Sequence, residues 1–96
     1  MQITITTKVT GGHLIVYIID KNTTTILTAN DNDTQQKSLV PGEKYRLEWH
    51  SWGPSDAEYI VNATISPANT GFPDYNLDRK YTGPNTDMGG FTFTLA

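Results

Sequence analysis

Several Asp, Asn and Thr side chains lie close enough in sequence to supply oxygen ligands to a calcium ion. A calcium ion takes about six to eight oxygen ligands, which loops rich in Asp, Asn and Thr can supply. Two parts of the chain fit: the run Asn30–Asp33 and the wider set Asp78, Thr82, Asn85 and Asp87. Neither has EF-hand spacing. The run is better interpreted as a turn whose side chains bond their own backbone, whereas the wider set is the candidate calcium site, with turn formation as its alternative.

Catalytic side chains are sparse. A hydrolytic triad needs a histidine, a nucleophile and an orienting acid, and the chain has only His13 and His50 as histidines and no cysteine. His50 stands two positions after Glu48, but no glycine-rich nucleophile turn accompanies it. The acidic residues are spread along the chain without a glycosidase-like pair. A solvated strand histidine is therefore favoured over a general base, and the sequence predicts a protein that is not an enzyme.

Three aromatic residues form a second candidate site: Trp52 at the end of the central strand, and Phe72 and Tyr75 in the long loop Pro67–Asn76. If their loops share one end of the fold, these rings could stack on a sugar or enter a lipid headgroup layer. The alternative is structural, with Trp52 covering the open end of the core and the other two rings folding back on its wall.

The composition describes a single domain over residues 1–96, large enough for a two-layer core. The net charge is −3, and the seven basic residues are dispersed. Nucleic-acid binding is disfavoured, because neutralising phosphates requires clustered Lys and Arg.

The sequence has no apolar run of membrane-spanning length and no basic and apolar leader after Met1. We therefore expect no transmembrane segment, and either a cytoplasmic location or release without a signal peptide. The lack of cysteine leaves the compartment open.

The stretch from Leu39 to Tyr45 has the L-x-P-G-x-x-Y pattern of a tyrosine corner. In such a corner a Tyr hydroxyl bonds the backbone just upstream and fixes a crossing between two sheets, so the pattern predicts a β-sandwich. From Tyr45 to His50, apolar and polar residues alternate with the period of a half-buried strand. We expect this to be a central strand.

Alternation and turn signals elsewhere predict a single-domain, all-β, Greek-key or jelly-roll-like sandwich of about seven or eight strands. The apolar run after His13 suggests a strand covered on both faces, and the strand after it should complete a hairpin. Besides the central strand, the predicted strands are Gln2–Val9, His13–Asp20, Thr23–Ala29, a short edge strand Gln35–Val40, Glu58–Ser66, Leu77–Tyr81 and a last strand through Phe91, Phe93 and Leu95.

Two clusters of residues resemble the aegerolysins. The run Gly53–Ala57 (GPSDA), beside Pro41–Lys44 (PGEK), resembles the middle of these proteins, and Tyr81–Gly89 (YTGPNTDMG) is similar to their carboxy-terminal turn and strand. Aegerolysins are small β-sandwich proteins that bind particular membrane lipids, often as the targeting partner of a pore-forming protein. This resemblance implies lipid recognition.

A weaker resemblance links the chain to calcium-dependent galactose-binding bacterial lectins. Val40–Glu43 leading to Trp52–Pro54 is similar to their early strand, and the spacing Asp78-x-x-x-Thr82-x-x-Asn85 resembles their metal loop. The resemblance implies that Trp52 gives a backbone carbonyl to calcium while the three loop residues give side-chain oxygens. Asp87 would join only by departing from the pattern.

Together these features predict a non-enzymatic recognition module that binds a glycan, a glycolipid or a lipid headgroup through loops at one end of the sandwich, with calcium as a candidate cofactor. A partner protein is a further candidate for binding. The alternative is a structural or assembly protein, such as a particle or secretion-apparatus subunit, that pairs through an exposed strand edge. The Thr-rich first strand, Gln2–Val9, is the candidate edge.

Overall fold

Eight β-strands and no helix make up the part of the chain that the computed structural model describes, residues 1–54, 56–80 and 85–96, without the side chain of Asn85. The all-β prediction is confirmed. The strands are β1 (Gln2–Thr10), β2 (His13–Ile19), β3 (Thr25–Asn30), β4 (Asp33–Ser38), β5 (Lys44–Gly53), β6 (Glu58–Ser66), β7 (Tyr75–Lys80) and β8 (Asn85–Thr94).

The strands form two four-stranded antiparallel sheets that pack face to face as a β-sandwich. Sheet A has the order β4-β1-β6-β7 and sheet B the order β3-β2-β5-β8. The predicted β2–β3 hairpin is confirmed, and β5 is interior. The expectation that the first strand is an edge is wrong. β4 pairs with it from Gln2↔Ser38 to Thr7↔Asp33 and covers the side that β6 leaves open.

The core lies between the sheets because alternate side chains of each strand point inward. On β5 these are Tyr45, Leu47, Trp49 and Ser51, all buried. Sheet A contributes inward residues from β1 and β6, and sheet B from β2 and β3. The fully buried aliphatic members include Ile3, Ile5, Leu14, Val16, Ile18, Ala29, Val61 and Ala63.

The predicted tyrosine corner is present between β4 and β5. The backbone N–H of Val40 donates to the Tyr45 hydroxyl at 2.9 Å, and Leu39 is buried beside it. Gly42 follows with φ of 85°, a conformation that favours glycine. The corner carries the chain from sheet A to sheet B and fixes the start of β5.

Two strands differ from their sequence-based description. On β2 the outward residues Ile15, Tyr17 and Ile19 are only half-buried, because a single layer packs on this sheet and nothing in the described chain covers its other face. β8 begins at Asn85, well before Phe91. The pair Gly89-Gly90, which looks like a turn, lies within this strand.

Within the described residues, no helix has the length and apolar character needed to cross a membrane.

Candidate functional site

Phe72, one of the three predicted ligand-binding aromatics, is in the core. Only 2% of it is exposed, and its ring centroid lies 4.6 Å from that of Phe93 and 5.9 Å from that of Phe91. Asn69 positions the segment before it, since its Oδ1 accepts from the Gly71 N–H at 2.8 Å. The ring fills the space between the sheets, and the native fold does not present it to a ligand.

Tyr75 is half-buried against the same wall of the core. Its ring lies 4.8 Å from Phe91 and 5.8 Å from Trp49. Burial raises the pKa of its hydroxyl. Phe72 and Tyr75 therefore both pack beside Phe91. Their positions agree with the structural alternative, in which the two rings fold back on the wall of the core.

Trp52 lies apart from this pair, on the outer face of sheet B, with 38% of its surface exposed. It stands opposite His13 in the β2–β5 register, and the two ring centroids are 5.4 Å apart. Asp31 lies beside the His13 ring, with its Oδ1 3.5 Å from Nδ1. The Trp52 carbonyl oxygen, which the lectin resemblance assigns to calcium, lies against Gly12, where a Cβ would stand 2.7 Å from it.

Other functional groups continue this row along β5. The His50 ring meets the Tyr17 ring edge-on at 5.9 Å, and Glu48 Oε1 accepts from Arg46 Nε at 2.7 Å. Glu48 thus bonds Arg46 and not the neighbouring His50. We name the outward side chains of β5 and their two β2 neighbours the β5 face: Arg46, Glu48, His50, Trp52, His13 and Tyr17.

Two open concavities flank the Arg46–Glu48 ion pair, which lies at the end of the β5 face away from Trp52. One, of about 330 Å³, is lined by the ion pair together with Ile19 and Thr92 among others. The second, of about 210 Å³, is lined by the ion pair, His50, Met88 and Gly89.

Gly90 shapes the surface between these concavities, because it stands opposite Glu48 and offers no side chain. A Cβ at Gly90 would lie 2.9 Å from Arg46 Nη2 and 2.5 Å from the carbonyl oxygen of Leu47. The ion pair therefore occupies the space that a side chain on β8 would fill.

The sequence alone does not identify the β5 face. Its signals were present in the outward residues of β5 and in the apolar run of β2. What the sequence could not supply is the pairing His13↔Trp52 and Tyr17↔Glu48, which makes two separate strands into one surface.

The structure separates two members of the predicted calcium set. Asp78 is exposed on sheet A, opposite Ile60, while Asp87 is on sheet B, opposite the buried Ser51. Thr82 and the Asn85 side chain lie outside the described residues. Among the side chains that are described, no three His, Cys, Asp or Glu residues form a cluster suited to a metal ion.

Asp87 has protein partners. Its Oδ2 accepts from the Tyr59 hydroxyl and, at 3.1 Å, from Arg79 Nη1. Burial by itself would raise the pKa of Asp87, but the hydrogen bonds from Tyr59 and Arg79 outweigh it and lower the pKa. Burial and the Asp87 carboxylate both raise the pKa of Tyr59. The cluster links the two sheets at one end of the sandwich.

The run Asn30–Asp33 is the predicted turn. Asp31 Oδ1 accepts from the Leu14 N–H at 3.0 Å, and Asn32 Oδ1 accepts from the Val9 N–H at 3.1 Å. Asp33 bonds the Thr34 N–H with its carboxylate and donates its own N–H to the buried Thr7 hydroxyl. Asp33 bonds the backbone of its own turn, as the turn interpretation predicted. Asp31 and Asn32 differ from it, because they bond the neighbouring strands β2 and β1 instead.

Comparison with models of known protein families, with curated proteins and with solved structures gave no significant match in any of the three.

Proposed function

We propose that this protein is a non-enzymatic recognition module that binds a glycan on the β5 face. The observation that carries the proposal is the row of two ring pairs and one ion pair along a solvent-facing strand. Trp52 packs on His13, His50 packs on Tyr17, and the Arg46–Glu48 pair follows.

The chemistry of the β5 face suits a sugar. A pyranose presents C–H groups on its ring faces and hydroxyls at its edges, and aromatic rings offer an apolar surface of matching shape. Alternate residues of β5 stand about 7 Å apart, so ring and polar groups succeed one another along the strand. Glu48, Arg46 and His50 can accept from or donate to hydroxyls beside a stacked ring.

The geometry also favours a ligand that binds without deep burial. The concavities are open, and water-bridged polar contacts are normal at such sites. The larger one is lined by Lys21, Lys44 and Arg46 against Asp20 and Glu48, so that its charges nearly cancel. This balance favours a neutral, hydroxyl-rich ligand over a polyphosphate.

Lipid-headgroup insertion finds less support. It would require aromatic side chains that project from loops into the interfacial layer, and Phe72 and Tyr75 instead pack on Phe91. Trp52 lies on a sheet face, with its ring against His13. Calcium is not part of the proposed binding mode, because the described side chains of the predicted calcium set, Asp78 and Asp87, lie outside the β5 face. Trp52 would contribute only its backbone carbonyl to such a site.

The test is a screen of immobilised glycans followed by titration of the best binder, with Trp52→Ala as the variant. Loss of the stacking surface should weaken binding at least about tenfold, equivalent to 1.4 kcal/mol. Val40→Ala is the matched control, since Val40 is also a large exposed apolar residue but lies off the β5 face. Its affinity should equal that of the wild type.

Two results would overturn the proposal. One is glycan binding that is equally strong in Trp52→Ala. The other is the absence of any glycan binder together with binding to vesicles of plain phospholipid, which would restore lipid recognition.

A further inference from the structure

We infer that the outer edge of β8 pairs with the same edge of a second copy of the chain, in an antiparallel register centred on Gly89. This inference rests on the strand edges and is independent of the ligand of the β5 face.

The four edge strands are not equally protected against such pairing. Charged side chains at an edge oppose the approach of another strand. Both edges of sheet A have them: β4 carries Asp33 and Lys37, and β7 carries Asp78, Arg79 and Lys80.

The edges of sheet B lack this protection. β3 has no charged residue, but it is only six residues long, and its pairing with β2 shifts register between Ile18 and Ile19. Short, irregular edges are poor templates. β8 is ten residues long, and its register with β5 is unbroken. Its one charged residue, Asp87, is bonded to Tyr59 and Arg79.

The backbone groups that β8 turns outward follow from its last residues. The N–H of Leu95 donates to the Glu43 carbonyl at 3.1 Å, and the Leu95 carbonyl accepts from the Gly42 N–H at 2.9 Å. Leu95 thus bonds toward the β5 side. Because backbone groups alternate along a strand, the residues whose N–H and C=O point to the open edge are Thr86, Met88, Gly90, Thr92 and Thr94.

The carboxy-terminal end of this edge is covered by the chain itself. Asn69 donates from Nδ2 to the Ala96 carbonyl at 3.2 Å and accepts the Ala96 N–H at 3.0 Å. Gly71 lies so close to Thr94 that a Cβ there would overlap the Thr94 carbonyl oxygen. Within the described residues, the uncovered stretch is therefore Thr86–Thr92.

This stretch is self-complementary. Its midpoint is Gly89, and a two-fold axis there would place Thr86 opposite Thr92 of the second copy and Met88 opposite Gly90 of the second copy. All four outward residues would then exchange hydrogen bonds. Gly89 would face Gly89 of the second copy across the axis, as a closely spaced, non-hydrogen-bonded pair. A residue without a side chain fits best at such a position.

The position of Met88 supports the same contact. It is 67% exposed, the most exposed of the large hydrophobic residues described, and pairing would cover it. Isologous contacts of this kind close at two copies. The product would be one continuous eight-stranded sheet with both β5 faces on the same side.

The first experiment is the molar mass of the wild-type chain by sedimentation over a range of concentrations, beside Met88→Lys and Val40→Lys. We expect a concentration-dependent dimer for the wild type and Val40→Lys, and a monomer for Met88→Lys with an unchanged far-UV circular dichroism spectrum. A wild-type chain that is monomeric at every concentration overturns the inference. It does so even if the β8 edge of that monomer binds an extended peptide from another protein.

Cysteine cross-linking tests the register itself, because the chain has no cysteine of its own. Thr86→Cys and Thr92→Cys chains are exposed at these positions and should cross-link when mixed and oxidised, whereas neither chain alone should do so. A cross-link in either chain alone, or none in the mixture, would exclude pairing centred on Gly89.

Discussion

The outer faces of the two sheets differ although both come from strands with the same alternation. Sheet A presents small polar groups, such as Gln2, Thr4 and Gln36, which bond one another at 3.2 Å on the surface. Sheet B presents paired rings and an ion pair. Alternation thus assigns side chains to a face, whereas the types of the outward residues indicate which face could bind a ligand.

The energetic consequences of the two faces also differ. The sheet A bonds link exposed side chains that water would serve as well, so their net stabilisation is small. On sheet B each ring rests on another ring, which limits its freedom before any ligand arrives. Preorganisation of this kind lowers the entropic cost of binding.

The strongest test of this contrast changes one position of each sheet. A Cβ at Gly89 would stand 2.3 Å from the Trp49 ring, so Gly89→Val should overpack the core beneath the β5 face and destabilise the protein by about 3 kcal/mol. Thr6→Val on the outer face of sheet A should change stability by less than about 0.5 kcal/mol. Urea unfolding measures both, and a wild-type midpoint for Gly89→Val would contradict the described packing.

The next test compares polar groups of the two faces in ligand binding. Glu48→Ala removes an acceptor and frees Arg46, and we expect affinity for the glycan to fall about tenfold. Stability should change by less than about 1 kcal/mol, because the pair is partly exposed. Gln36→Ala on sheet A is the control and should leave affinity unchanged. Equal losses from both variants would remove the distinction between the faces.

Acid should distinguish the Asp87 carboxylate, which links the sheets, from an uncharged polar side chain on the face of sheet A. The folded-state pKa of Asp87 is below the ordinary value of 3.8, so its stabilisation is present above that value and is lost as the pH falls through the folded pKa. Asp87→Asn should therefore flatten the loss of stability in acid. Gln36→Ala, on the outer face of sheet A, removes no titratable group and should keep the wild-type acid limb. Thermal melts between neutral and strongly acidic pH measure both, and identical curves for Asp87→Asn and the wild type would contradict the described cluster.

Calcium should have the smallest effect. Asp87 already accepts hydrogen bonds from Tyr59 and Arg79, and Asp78 is exposed on the edge strand of sheet A, so we expect the same melting temperature in excess calcium and in chelator. A site filled at a hundred times its dissociation constant would add roughly 2.7 kcal/mol, which corresponds to a shift of several degrees or more for a domain of this size. Such a shift, lost in Asp87→Asn, would reinstate the calcium site.

The parts of the fold that could be predicted are those encoded locally. The corner at Tyr45, the hairpin after Asp20 and the turn at Asn30–Asp33 each depend on residues close in sequence. The start of β8 is harder to predict from the sequence, because Gly89 and Gly90 are typical of turns. In this structure the two glycines instead leave room for Trp49 and for the Arg46–Glu48 pair. The sequence alone does not distinguish a glycine in a turn from a glycine within a strand.

The candidate site could be predicted only in part. The sequence predicts Trp52 as a ligand-binding aromatic at a strand end, and its side chain is exposed in the structure. Phe72 follows an irregular loop, where no periodicity reports burial, so its place in the core could not be inferred. The partners of Trp52 and His50 belong to β2, more than thirty residues upstream, and only strand pairing brings them together.

The interior position of β1 also bears on how the chain folds during synthesis. Gln2 is paired with Ser66, and Thr10 with Glu58, so β1 leaves the ribosome long before β6 exists. At about 5–20 residues per second, sixty residues take roughly 3–12 s. Throughout that interval the inward side of β1, with Ile3 and Ile5, has no finished sandwich to enter. β1 can pair with β4 early in synthesis, but its pairing with β6 forms only after most of the chain has been made.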